Sequence, residues 1–199
     1  MKLIRIALTA LLALTTFPAM AKELSLSQIS NYLNSIGTLE AEFTQINADQ
    51  SISTGTIKIK RPGRARFEYN PPEQILVIAG GQQLAVFDGK SNTGPEQYPL
   101  SETPLNLILG SNIDLSRNGM VVDHGYDGVA TVVTAQDPDY PEYGNIRLSF
   151  TDSPVALRQW VITNGAGEET TVILGETTTG KRYPTATFSI MAEVNKRGL

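Results

Sequence analysis

The 199-residue chain carries 16 Lys and Arg against 20 Asp and Glu, a net charge of −4, with one histidine and no cysteine. An acidic balance argues against a nucleic-acid partner. The missing cysteine excludes disulfides and a lipid-modified cysteine at a processing site, so packing alone must hold the fold, which this length permits.

The first residues read as an export signal. Lys2 and Arg5 form a positive start, Ile6 to Phe17 an apolar run, and Ala19-Met20-Ala21 a small-residue cleavage site. The run is too short and wrongly flanked for a stable membrane span, with an uncleaved anchor as the alternative. Cleavage after Ala21 leaves 22–199 as one domain. Ser25-Leu26-Ser27-Gln28 then has the pattern of a capping box. Leu26, Ile29, Leu33 and Ile36 follow at helical spacing, with Gly37 as the stop. Such an amphipathic helix needs an apolar surface to cover.

Strands come next. Leu39, Ala41 and Phe43 alternate with Glu40, Glu42 and Thr44; Ile57 and Ile59 alternate with Lys58 and Lys60. After a turn at Pro62-Gly63, Ala65, Phe67 and Tyr69 oppose Arg64, Arg66 and Glu68. Arg61 is the odd member, because parity puts it in line with Ile57 and Ile59, where an unpaired charge is costly. Either it snorkels out at the strand end, the commoner outcome, or it meets carbonyls or carboxylates inside. Gln74–Ala79 and Gln83–Asp88 form a hairpin about Gly80-Gly81, and Glu96–Leu100 is a further candidate strand.

The period then changes. Thr103 reads as an N-cap, Pro104 as the first helical position and Gly110 as the close of a short helix bearing Leu105, Leu107, Ile108 and Leu109. Beyond it, strands are expected at 120–124, 129–136, 145–151, 157–163, 170–176 and 186–192. The expected fold is mainly β with α. One highly curved antiparallel sheet of about 11 strands forms an incomplete, half-open barrel, covered by the N-terminal helix and the short helical lid.

Catalytic and metal chemistry finds little support. His124 stands beside Gly125 and reads as a surface turn residue; no nucleophile elbow accompanies it. Asp137, Asp139 and Glu142 lack calcium-loop spacing and read as a solvated loop. No cofactor or metal site is expected. Lys58, Lys60, Arg64 and Arg66 form an outward basic stripe, either a solvated strand face or an electrostatic dock for an acidic partner.

The run from Gly55 through Arg61-Pro62-Gly63 to Phe67-Glu68-Tyr69 and Asn70-Pro71-Pro72 resembles the outer-membrane lipoprotein carrier proteins, the LolA family. So do Phe43-Thr44-Gln45, the Gly81 hairpin leading to Leu84–Asp88, Tyr98-Pro99-Leu100 and Thr103-Pro104-Leu105. The likeness runs in order over residues 24–110; over 119–199 it rests on strand spacing and Phe188. It implies a monomeric, non-enzymatic periplasmic chaperone whose apolar cavity takes the acyl chains of lipoproteins. Cargo would come from an ABC-type release complex in the inner membrane and pass to an outer-membrane receptor. The family's lid-closing arginine falls on Arg61, and the acyl-chain lining on Phe43, Ile57, Ile59, Phe67, Leu105, Leu107 and Ile108. Ala65 and Ala85 depart from the family, standing where many members carry an aromatic residue and a tryptophan. Two rivals are a lipid or glycolipid carrier or sensor on the same half-barrel, and an exported hydrolase using His124.

Overall fold

The computed structural model describes residues 22–199; the export signal read at 1–21 lies outside them. Ser25 caps the first helix, α1 (Leu26–Ser35). Its hydroxyl accepts from the Gln28 amide, and the Gln28 side chain accepts from the Ser25 N–H, closing the capping box. Ile29 and Leu33 sink into the main core, and Tyr32 meets Phe150 edge-on at 5.9 Å.

Alternation then builds a meander of six strands: β1 (Thr38–Ile46), β2 (Ile52–Lys60), β3 (Arg64–Tyr69), β4 (Ile75–Gly80), β5 (Gln83–Asp88) and β6 (Glu96–Pro99). The candidate strand at Glu96 is therefore real. Gly81 and Gln82, both at positive φ, make the two-residue β4–β5 turn, one position later than expected. The lid helix α2 (Asn106–Leu109) follows, then β7 (Val121–Tyr126), β8 (Thr131–Gln136), β9 (Asn145–Asp152), β10 (Val155–Thr163), β11 (Glu169–Leu174) and the short β12 (Thr178–Thr179).

All pairings are antiparallel, in the order β6-β5-β4-β3-β2-β1-β11-β10-β9-β8-β7, with β12 beside β1. The ends β6 and β7 do not pair with each other, so the sheet curls without closing. It has two leaves, β1–β6 and β7–β11. Strand β1 pairs with β2 along its whole length but with β11 only over Phe43–Ile46. Helix α1, the lid and the inward residues of both leaves share one core, which includes Leu33, Phe43, Ile57, Ile108, Leu148 and Trp160.

Two expectations need correction. The lid helix is shorter than the 103–109 pattern: Thr103 does not cap it, because its hydroxyl donates to the Leu100 carbonyl. Residues 186–192 are not a strand. They form a 3-10 turn (Thr185–Phe188) and the start of a C-terminal helix, α3 (Ile190–Arg197), which Ser189 caps through the Ala192 amide.

This C-terminal segment is a strap across the outer face of the first leaf. Lys181 and Tyr183 bind Glu40 on β1, and Lys60 on β2 donates to the Tyr183 carbonyl. Arg66 on β3 reaches Thr187 and Glu193, and Ile190 and Val194 close a second core over Leu76, Ile78, Ala85 and Phe87. Gly80 permits the strap's close approach, since a Cβ there would collide with the Phe188 carbonyl.

Candidate functional site

Between the leaves lies a cavity of about 710 Å³. One wall is Phe67, Tyr69, Val77, Leu84 and Val86, and the other is Trp160, Ile162 and Val172, with Thr103, Pro104 and Leu105 over the top. Alternation explains both walls. Phe67 pairs with Val77 and Val77 with Val86 across three strands, while Trp160 pairs with Val172, so their side chains share the concave face. The rim is polar: Gln45, Tyr98, Glu102, Glu142, Tyr143 and Asn164. Tyr69 donates to Gln45 Oε1 at 2.7 Å, and burial pushes its phenol up to about 12, so the hydroxyl stays protonated.

The residues read as lining from the sequence divide. Phe67 and Leu105 line the cavity; Phe43, Ile57, Ile59 and Ile108 do not, being buried in the closed core that α1, the lid and the sheet share. Leu107 is half-buried against that core. Phe43 supports the wall from behind, edge-on to Phe67 at 5.8 Å and to Tyr69 at 5.2 Å. A Cβ on Gly55 would collide with the Glu68 carbonyl of β3 and come within 2.8 Å of the Phe43 ring, which explains glycine inside β2. Sequence reading missed Trp160, Ile162 and Val172. Their signal was the parity of Trp160 with Ile162, obscured because the neighbouring Val161 is also buried.

Arg61 stands at the other end of the lid. Its guanidinium donates to the carbonyl of Leu33 at the end of α1, to Asn34 Oδ1 at 3.1 Å and to the carbonyl of Gly110 at 2.5 Å. Its backbone N–H donates to Gly37, and that of Gly63 to Leu109 at 2.8 Å. The charge placed inward by parity thus meets carbonyls from two helices. Burial lowers the pKa of the guanidinium, which stays charged nonetheless.

The model of the outer membrane lipoprotein carrier protein LolA matches residues 34–191. The chain belongs to this family. The outer-membrane lipoprotein carrier protein of Azotobacter vinelandii is 26% identical over 181 residues, 87% of this chain and 86% of its own. That of Dechloromonas aromatica is 27% identical over 180 residues, 86% and 85% of the two chains. Among solved structures, a putative outer membrane lipoprotein-sorting protein domain from Vibrio parahaemolyticus superposes with a TM-score of 0.50 at 10% identity, covering 82% of this chain and 94% of that one. That likeness concerns the fold.

Against the LolA-family expectations, several positions move. Ala65 is buried on the concave face opposite Ile59 and Ala79 but does not line the cavity. Ala85 is not a cavity-wall position at all: it lies on the outer face, in the core sealed by α3. The basic stripe is not an open face either. Lys58 binds Glu68 at 2.8 Å, Lys60 holds Tyr183, and Arg66 is engaged by Glu68, Thr187 and Glu193 under the strap. Burial opposes ionisation of Glu68 and Glu193. Even so, the Lys58 and Arg66 hydrogen bonds to the first, and those of Arg197 and Arg66 to the second, hold both carboxyls below their ordinary value.

Among the described residues, Arg64 is the one member of the stripe without an ion pair or hydrogen bond. It lines a hollow with Pro62, Gln82, Leu100, Asn106 and Gly110 beside the lid. His124 is not a turn residue; it is half-buried in β7, bound through Nε2 to the Leu24 carbonyl at 2.8 Å. Asp139 pairs with Arg117, while Glu142 joins the cavity rim. Among the described residues, no group of three or more His, Asp or Glu side chains is placed to hold a metal.

Proposed function

We propose that this chain is a periplasmic lipoprotein carrier. In this reading it holds the acyl chains of its cargo between the two leaves, takes that cargo from an ABC-type complex of the inner membrane and hands it to an outer-membrane receptor. The observation that carries the proposal is the apolar cavity beneath a lid that one charged side chain ties to the body of the protein. Its volume of about 710 Å³ falls within the range of about 300–1,000 Å³ usual for sites that bury a small ligand.

A carrier must also let go. Each buried methylene contributes about 0.8 kcal/mol, so one long acyl chain supplies roughly 10 kcal/mol of gross driving force. A lid that prefers to close on the empty protein subtracts its opening cost from that figure and makes release feasible. Arg61 is the natural source of this cost, because it joins α1 to the lid through Leu33 and Gly110. Phe67, Trp160, Val172 and Leu105 supply the first acyl contacts. Phe43, Ile57, Ile59 and Ile108 come into play when the lid lifts. Arg64, beside the lid, is left to meet an acidic partner.

The test is mass spectrometry of the protein purified from the periplasm under native conditions. Co-purifying acylated lipoprotein is the expected result. Phospholipid or glycolipid alone would keep the cavity but change the cargo class. An empty protein that takes up no apolar fluorophore would overturn the carrier reading.

A further inference from the structure

The lid is tied down at more than one point, and one side chain connects the ties. Asn34, at the solvent edge of α1, forms a two-way pair with the backbone of Ile113: its Nδ2 donates to the Ile113 carbonyl at 2.8 Å, and its Oδ1 accepts from the Ile113 N–H at 2.9 Å. This pairing fixes the amide orientation, because a flipped amide would set donor against donor and acceptor against acceptor. With the orientation fixed, Oδ1 and not Nδ2 faces Arg61, and it accepts from Nη2 at 3.1 Å. The same nitrogen, Nη2, donates to the Gly110 carbonyl. One amide oxygen therefore holds both the arginine fork and the chain three residues beyond the carbonyl that the fork grips. Ser30, one turn earlier on α1, accepts from the Leu115 N–H at 3.0 Å and continues the seam.

We propose that Asn34 is a positioning residue for cargo binding and release: it aims the Arg61 guanidinium at Gly110 and presents Gly110 to it. The inference rests on the reading of Arg61 as the lid latch. An arginine side chain has several rotatable bonds, and at a partly exposed site it gains freedom by swinging into water. A fixed acceptor on Nη2 removes that freedom before the lid closes, so the bond to Gly110 forms at less entropic cost. The anchors at Ile113 and Leu115 belong to α1 rather than to the arginine. They stay in place when the latch breaks, and the moving part of the lid is limited to the residues before Ile113.

The experiment is a double-mutant cycle on the full mature chain, comparing Asn34→Ala, Asn34→Asp, Arg61→Leu and Asn34→Ala with Arg61→Leu. Two quantities are read: the apparent Kd for anilinonaphthalene sulfonate, and hydrogen exchange of the Gly63 amide, whose bond to Leu109 crosses the seam. Thermal melts of each variant check the fold. Asn34→Ala should tighten the dye and speed Gly63 exchange, each by roughly threefold, the scale of one partly exposed hydrogen bond. That effect should vanish in the Arg61→Leu background. Asn34→Asp keeps an acceptor for Arg61, now a charged one, but sets its second oxygen against the Ile113 carbonyl; because the arginine stays held, dye affinity and Gly63 exchange should lie closer to wild type than in Asn34→Ala. Persistence of the effect without Arg61, an aspartate variant no closer to wild type than the alanine, or no effect of Asn34→Ala would each overturn the role of Asn34. If Arg61→Leu itself changes neither quantity, the latch reading fails, and the role of Asn34 fails with it.

Discussion

Replacing Arg61 by leucine should separate lid closure from folding. The substitution removes the bond to the Gly110 carbonyl together with those to Leu33 and Asn34. A hydrogen bond with a charged partner contributes about 1.5–3 kcal/mol, and the half-exposed setting of Arg61 selects the lower end. About 1.5 kcal/mol is roughly a tenfold change in the lid equilibrium. The fold itself should lose little, since leucine also removes a buried Nε that has no hydrogen-bond partner and extends the apolar row of Ile57 and Ile59. The expected outcome is a melting temperature within a few degrees of wild type. Gly63 amide exchange should be roughly tenfold faster and dye binding about tenfold tighter, because more of the protein is open to receive it. Cargo should load normally, and onward transfer to outer-membrane receptor or vesicles should fall. Unchanged exchange, unchanged dye affinity and normal transfer would refute the latch.

Three further outcomes follow from other parts of the molecule. Glu193 has its carboxyl held below its ordinary value of 4.5. Its contribution to stability is therefore complete above that value and is lost as pH falls through the lowered folded value. Glu193→Gln should flatten the acid limb of melting temperature against pH and loosen the strap at neutral pH. Gly55→Ala would drive a methyl group into the Glu68 carbonyl of β3 and against the Phe43 ring and should destabilise by roughly 1–3 kcal/mol in urea unfolding; a neutral result would mean that the β2–β3 ladder yields there without cost. Trp160 is the single tryptophan and lines the cavity, so its emission should change as acyl ligand is titrated, and the signal should disappear in Trp160→Phe.

Much of the sheet was legible because its residues alternate locally. Ile57, Ile59, Ala65 and Phe67 mark the concave face without reference to any distant residue, and parity placed Arg61 among them before its partners were known. The outer face was less legible. Lys60 and Arg66 look like solvated charges in the sequence, because the groups of the strap that bind them lie more than a hundred residues away, at Tyr183, Thr187 and Glu193. The same strap misled the strand assignment at 186–192. Ala186, Phe188 and Ile190 alternate with Thr187 and Ser189 as a strand would. The helical signals were the Ser189 cap, the Ile190–Val194 spacing and Gly198 in the left-handed region. For the cavity, alternation identified faces but not which buried residues would border empty space. That depends on how far the lid descends, and here Phe43, Ile57 and Ile59 are buried in the same core as its leucines.

The short ladder between β1 and β11 bears on what such a cavity can hold. Each leaf is internally paired along long strands, whereas the backbone ladder between the leaves is limited to Phe43–Ile46 against Thr171–Leu174, the Gly175 N–H on the Glu42 carbonyl and the two β12 pairs. They behave as covers on a short spine. Turning one cover moves Trp160, Ile162 and Val172 away from Phe67, Val77 and Val86 while the ladders within each cover stay whole. Only a few rungs at the spine are strained. On the proposed carrier reading, cargo with more or longer acyl chains would enlarge the space by twisting that spine, with no strand unzipped to admit it.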